Sequence, residues 1–306
     1  MGKALIVASD LNSTLASGDE VNLFGYANDT VTEANTQVSA TEAMTFSGLG
    51  FRVSSGGSGT NTLQFRKNGA NGNQTCAAVG ATAAEDTTNT DVLAAADLFN
   101  IAYTDTGTDS TAAWIKGNVE FSSGHGNIHG SASYNGVVLD VASSTRFIGL
   151  AGNLPADGNA TESNVAWKTR AYSTFEALQV RVTANARTNN SVFKNRINNA
   201  DGTGVITYGA GITGLLTATG LADAITDGQT VNASITLDTG VQDLTVSFVG
   251  GTFKSSSSKS DTFIGRDVGV ARTASATAHY EPIGGHIISL TGLTEANARI
   301  KPGFAA

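Results

Sequence analysis

His125 and His129, four residues apart, are the first side chains in this sequence whose type and spacing could do chemistry. On a helix that interval places both imidazoles on one face, where they could share a metal ion. Their setting, Gly124-His125-Gly126-Asn127-Ile128-His129-Gly130, is too rich in glycine for a helix. They are therefore expected in a loop or strand and facing solvent, with His279 and His286 far along the chain. The run Asp157-Gly158-Asn159-Ala160-Thr161-Glu162 carries oxygen ligands but lacks the spacing of an EF-hand loop, so no metal is expected. A glycosidase would need two carboxyls held across a sugar. The acids Glu85-Asp86, Asp19-Glu20 and Asp10 have no recognisable partner nearby and read as solvated surface.

Cys76 is the only cysteine, so neither an intrachain disulfide nor a cysteine-based zinc site can form. Beside Ala77, Ala78 and Val79 it reads as a small buried hydrophobe. Gly-x-Ser-x-Gly, a P-loop and His-Glu-x-x-His are all absent. The expectation is a protein that is not an enzyme and uses no cofactor. Arg66-Lys67-Asn68-Gly69 reads as a strand ending in a turn, because Asn68 and Gly69 tolerate the positive φ that a tight turn needs.

The elements that would carry these residues are strands. Charged residues make up 14% of the 306, and the net charge is −8, so the basic footprint of a nucleic-acid binder is missing. The acidity also disfavours anionic membranes. No apolar run reaches the roughly 18 residues of a membrane span. The apolar patch in Met1–Asp10 is too short for a signal peptide, and Ile6 stands where a myristoylation pattern needs Ser or Thr. Glycine (36) far outnumbers proline (3), which suits short strands joined by many turns.

Apolar residues recur with a period of two. Leu49, Phe51 and Val53 alternate with Gly50 and Arg52, and Leu178, Val180 and Val182 with Gln179 and Arg181. Val231, Ala233, Ile235 and Leu237 do the same, which is the pattern of a strand with one face in a core. Asn135-Gly136 predicts a hairpin between 131–134 and 137–141. Residues 94–99 and 215–225 are the only helical candidates, and Gly220 interrupts the second. Residues 54–59, 255–258 and 153–162 read as loops, the last one between modules.

The sequence also resembles itself. Thr32-Glu33-Ala34-Asn35 recurs as Thr161-Glu162-Ser163-Asn164, and Arg52-Val53 as Arg181-Val182. Arg66-Lys67-Asn68-Gly69 aligns with Arg196-Ile197-Asn198-Asn199, Asp97 with Asp227, and Asp105-Thr106-Gly107 with Asp238-Thr239-Gly240. Leu23-Phe24-Gly25 and Phe147-Ile148-Gly149 are matched as the openings of the two copies, and Phe263-Ile264-Gly265 appears as a third, truncated opening. Ordered matches at a slowly growing offset predict an internal duplication. The expected organisation is an N-terminal arm (1–19), a β-sandwich module (20–145), a second module (146–258) and a C-terminal extension (259–306). The fold class expected is all-β: two tandem antiparallel jelly-roll-like sandwiches.

On these residues the module resembles one found in tailed-bacteriophage virion proteins. The matching features are an aromatic-x-Gly opening (Phe24-Gly25, Phe147 to Gly149), the strands 49–53 and 178–182, the Arg-x-Asn-Gly turn, and the late strands after Asp97 and Asp227. Asn199 departs from the turn glycine. The resemblance implies a structural protein on a phage particle: a head decoration (cement) protein, or alternatively a fibre or receptor-binding protein, or a double jelly-roll capsid protein. It implies no catalytic residue. Its implied partners are the major capsid protein and further copies of itself, most simply as a trimer on the outer capsid surface, with no nucleic acid and no membrane. The apolar ends, Ala4–Val7 and 287–293, are expected to dock on a partner.

Overall fold

The period-two alternation is realised as strands, and no α-helix occurs among the residues that the computed structural model describes: 4–8, 14–24, 32–55, 59–141, 143–154, 157–169, 172–239, 242–255 and 262–264. The first half contains β1 (Ala4–Ala8), β2 (Thr14–Leu15), β3 (Glu20–Val21), β4 (Val38–Ser39), β5 (Met44–Ser55) and β6 (Thr60–Lys67). It continues with β7 (Ala70–Val79), β8 (Ala83–Glu85), β9 (Thr90–Leu93), β10 (Leu98–Asp105) and β11 (Ser110–Phe121). One sheet runs β1-β11-β5, with β8 and β9 sharing the far side of β5; the other runs β3-β10-β6-β7, with β4 also on β10. Lettered B to I in chain order, the principal strands form the B-I-D-G and C-H-E-F sheets of a jelly roll.

The second half repeats that order. It contains β12 (His125–Leu139), β13 (Thr145–Ile148), β14 (Gly152–Asn153), β15 (Trp167–Lys168), β16 (Thr174–Asn185) and β17 (Ser191–Ile197). Then come β18 (Ala200–Tyr208), β19 (Gly214–Ala224), β20 (Thr230–Thr236) and β21 (Leu244–Ser255), with β22 (Thr262–Ile264) beyond. The sheets are β12-β21-β16-β19, edged by β14, and β13-β20-β17-β18, with β15 on β20.

Register makes the correspondence residue by residue. Phe46 lies opposite Val119 as Phe175 lies opposite Phe253, and Leu98 faces Ser39 as Thr230 faces Lys168. In each half a phenylalanine covers a glycine on the neighbouring strand. A Cβ on Gly117 would come within 2.1 Å of the Phe46 ring, and one on Gly251 within 2.5 Å of the Phe175 ring. Leu49, Phe51 and Val53 are buried in the first apolar core, and Leu178, Val180 and Val182 in the second.

Several expectations are corrected by these pairings. The Ala4–Ala8 segment is not an arm; β1 is strand B of the first sandwich, antiparallel to β11, with Ile6 completely buried. The boundary between sandwiches falls at 122–124 rather than 145, because β12 pairs with β21 of the second half. Residues 153–162 therefore lie within the second sandwich, between its strands C and D. Asn135-Gly136 makes no hairpin. The segments on both sides pair with the same strand, β21, so the chain keeps its direction through a bulge in which Gly136 takes φ +77°. Residues 215–225 form strand rather than helix, since β19 pairs along β16. In 94–99 a turn leads directly into β10. By register, Phe147 matches Glu20, not Phe24, and the residue matching Asp97 is Gln229, not Asp227. Gly25 and the 287–293 segment lie outside the described residues; of the tail, 262–264 pairs parallel to β1.

The two sandwiches share one continuous interface. Phe248 of β21, with Ile128 and Ala132 of β12, joins the apolar core of the first half, where its ring centroid is 5.8 Å from that of Phe24. Around this patch, side chains on the outer face of β16 satisfy the free edge of β4. The Gln179 carboxamide accepts from Ser39 N–H (3.0 Å) and donates to Ser39 C=O (2.9 Å), as a neighbouring strand would. Arg181 donates through Nη2 to Gln37 C=O at 2.9 Å, and Lys254, Glu42 and Ser123 close the rim.

Candidate functional site

One polar constellation recurs in both halves, on the outer face of each C-H-E-F sheet, where a hairpin and a one-turn 3-10 helix meet. Asn68 (φ +50°) and Gly69 (φ +78°) turn β6 into β7, and Asn198 (φ +50°) and Asn199 (φ +65°) turn β17 into β18. Both central residues take positive φ in each case, as a twisted two-residue hairpin requires. Asparagine tolerates the left-handed region, so Asn199 replaces glycine without changing the turn.

The arginine at the end of each hairpin strand reaches the glutamate of the 3-10 turn. Arg66 donates from Nε to Glu33 Oε1 (3.0 Å) and from Nη2 to Oε2 (3.1 Å); Arg196 makes the same pair of bonds to Glu162 at 2.7 and 2.8 Å. Two further guanidinium donors bond Gly69 C=O and Asn71 in one copy, and Asn199 C=O and Asp201 in the other. Such a fork ties the turn, the hairpin and the sheet together. These arginines are structural staples, each making four hydrogen bonds. On the facing turn, Asp97 accepts from Asn68, and that bond, with help from Ala94 N–H and Lys67, holds its carboxyl below the usual range despite partial burial. Gln229 Oε1 accepts from Thr226 N–H (2.8 Å) as Asp97 accepts from Ala94.

Beneath the arginines the two halves differ. In the first, Asn100 donates to Glu20 Oε2 (2.6 Å) and to Thr36 Oγ1 (3.1 Å). In the second, Phe147 and Val165 stand in those places; Phe147 lies under the Arg196 guanidinium, 5.4 Å from ring centroid to Cζ. Asn232, the counterpart of Asn100 opposite Arg196, keeps its amide with no partner for either polar atom among the described residues, although it is only 1% exposed. Replacing an unsatisfied buried amide by an isosteric apolar group removes a desolvation cost. Asn232→Leu is therefore expected to stabilise the protein by about 1–2 kcal/mol in urea unfolding. A loss of stability would show that the amide is satisfied after all.

Glu20 has the opposite problem. Partial burial, followed by the nearby Glu33 carboxylate, pushes its pKa up to about 7, against the pull of Arg66 and Asn100. A carboxyl that binds its proton more tightly when folded favours the fold at low pH, and that contribution is lost as pH rises from about 4.5 through 7. Glu20→Gln keeps an acceptor for Asn100 and cannot ionise. The variant is expected to be more stable than the parent by about 1 kcal/mol at about pH 8, allowing for solvent screening, with the gap closing by about pH 5. Paired unfolding curves at the two pH values check this; an equal gap at both would remove Glu20 as the titrating group.

The other sequence candidates resolve as structure. Contrary to expectation, His129 does not face solvent; it is buried from β12 among Trp167, Tyr172 and Phe253, with ring centroids 4.9–5.1 Å away, and its Nε2 meets the Tyr172 hydroxyl. Desolvation lowers its pKa to about 3, so the imidazole is neutral. His125 is half-buried on the same strand, and His279 and His286 lie outside the described residues. Asp86 and Asp19 are buried rather than solvated. Burial alone would raise the Asp86 pKa, but bonds from Asn89, Thr88 and Thr75 outweigh it and hold the carboxyl below the usual range. Cys76 is buried, and burial pushes its thiol up to about 12, so it stays a thiol.

No group of three or more His, Cys, Asp or Glu that could hold a metal ion occurs among the described residues. Likewise no helix among them is long and apolar enough to cross a membrane. No protein-family model matches the chain, and no curated protein matches it either.

Proposed function

We propose that this chain is a non-enzymatic structural protein of a bacteriophage particle, acting as a decoration or cement protein on the capsid. The observation that carries this reading is the strand order: B-I-D-G against C-H-E-F, built twice in one chain and fused through a shared apolar interface. The Glu33–Arg66 and Glu162–Arg196 pairs staple turns, and Gln179 and Arg181 join the sandwiches, as a load-resisting shell component requires. The partners under this reading are the major capsid protein and other copies of the chain, arranged as a trimer on the outer capsid surface, where several weak contacts act together.

Incubating the purified protein with undecorated heads tests it. Binding visible on the outer shell, with a raised temperature of head disruption, is the expected result. No binding to heads, with antibody against the protein labelling only the tails of whole particles, would replace the cement reading with a fibre or receptor-binding role. The presence of two jelly rolls in one chain favours one further reading, a double jelly-roll capsid protein. Assembly of the purified protein alone into closed shells would select it.

A further inference from the structure

One constellation has no counterpart in the second half. Lys116 on β11 is completely buried, and its Nζ lies 2.6 Å from Glu85 Oε1. Asn118, two residues further along the same strand and so on the same sheet face, is 1% exposed, and its Oδ1 is buried with no donor among the described residues. Two glycines of β5 leave room for these groups. A Cβ on Gly50 would lie 2.9 Å from Lys116 Cε. A Cβ on Gly48 would lie 2.4 Å from Asn118 Nδ2, 3.6 Å from its Cγ and 3.7 Å from Glu85 Oε1. Amine, carboxylate and carboxamide thus share one recess floored by Gly48 and Gly50. The register between β11 and β5 shifts there, and Gly48 takes φ +66°.

The fold does not need this recess. The matching positions of β21, by register with β16, are Gly250 and Thr252, and the second sandwich closes with them. Nor is a buried ion pair an efficient stabiliser, since apolar groups of similar volume usually serve as well.

We propose that Lys116 and Asn118 are joined by a side-chain amide bond whose formation Glu85 assists. Glu85 takes a proton from the Lys116 ammonium, freeing the lone pair on Nζ for attack on Asn118 Cγ. The Nζ–Cγ bond forms, a proton passes from Nζ to Nδ2 by way of Glu85, and the Cγ–Nδ2 bond breaks. Nδ2 leaves as ammonia, and Glu85 keeps the first proton, so the recess ends without charge. Nothing is oxidised or reduced, and no further reactant is consumed. Holding the three groups together supplies the effective concentration that makes such a step feasible without a cofactor.

Tryptic mapping of the purified protein tests the bond. Trypsin cuts after Lys67, Lys116 and Arg146, with no other site between them. The bond blocks cleavage at Lys116, so the expected product is a single peptide covering 68–146, lighter than its sequence mass by one ammonia. Separate peptides 68–116 and 117–146 of unaltered mass would overturn the proposal. In Glu85→Gln, cleavage at Lys116 and the full sequence mass are expected to return. A variant that still carries the bond would remove Glu85 from the reaction. The wild-type map decides whether the bond exists, whatever the folding of the variant.

Discussion

Asp238→Ala is expected to destabilise the protein by about 3–5 kcal/mol, the cost of removing one partner from a buried ion pair. The Arg187 side chain is wholly enclosed and donates from Nη1 to Asp238 Oδ1 at 2.9 Å. Its Nη2 also donates to Leu139 C=O (2.8 Å) and Val141 C=O (3.3 Å), and Asp238 Oδ2 accepts from Asn189 N–H (3.0 Å). The pair therefore gathers the ends of β12, β16 and β20 at one end of the second sandwich. Deleting the carboxylate leaves the guanidinium buried without it. Arg187→Met with Asp238→Leu should recover most of the loss, because both charges go together and the volume stays filled. Urea unfolding of the three proteins checks both parts. A single variant within about 1 kcal/mol of the parent would show that water reaches the pair.

Deleting residues 1–8 is expected to unfold the first sandwich, not merely to weaken attachment to a partner. Along its length β1 pairs with β11, from Ala4 opposite Val119 to Ala8 opposite Ile115. Burial of Ile6 alone is worth roughly 1.5–3 kcal/mol, and the deletion also strips the backbone partners from one side of β11. Circular dichroism and thermal unfolding of the truncated chain should show lost β-structure and a broadened or absent transition. A truncated protein that melts like the parent but no longer binds particles would restore the view of this segment as an arm.

The chain's local pattern determined a good deal. Alternation marked the core strands at Leu49–Val53 and Leu178–Val182, since a side-chain period of two admits only one buried face. Asn68-Gly69 and Asn198-Asn199 announced their turns through the few residues that accept positive φ. The recurring Thr-Glu-x-Asn and Arg-x-Asn segments contained both ends of the Glu33–Arg66 and Glu162–Arg196 staples; pairing the repeated charges of opposite sign would have predicted those contacts. Tertiary structure decided what depends on partners distant in sequence. Asn135-Gly136 has the composition of a hairpin, yet β21 binds the strand on both sides and makes it a bulge. Whether β1 is an arm or a strand rests on β11, more than a hundred residues away. His129 sits in a glycine-rich run that reads as exposed, and it is buried by Trp167 and Phe253 from two other strands and by Tyr172 from the segment before β16. The recess of Lys116, Glu85 and Asn118 was equally invisible. Its three groups come from two strands that meet only across β5, and the glycines that admit them look, in sequence, like any others.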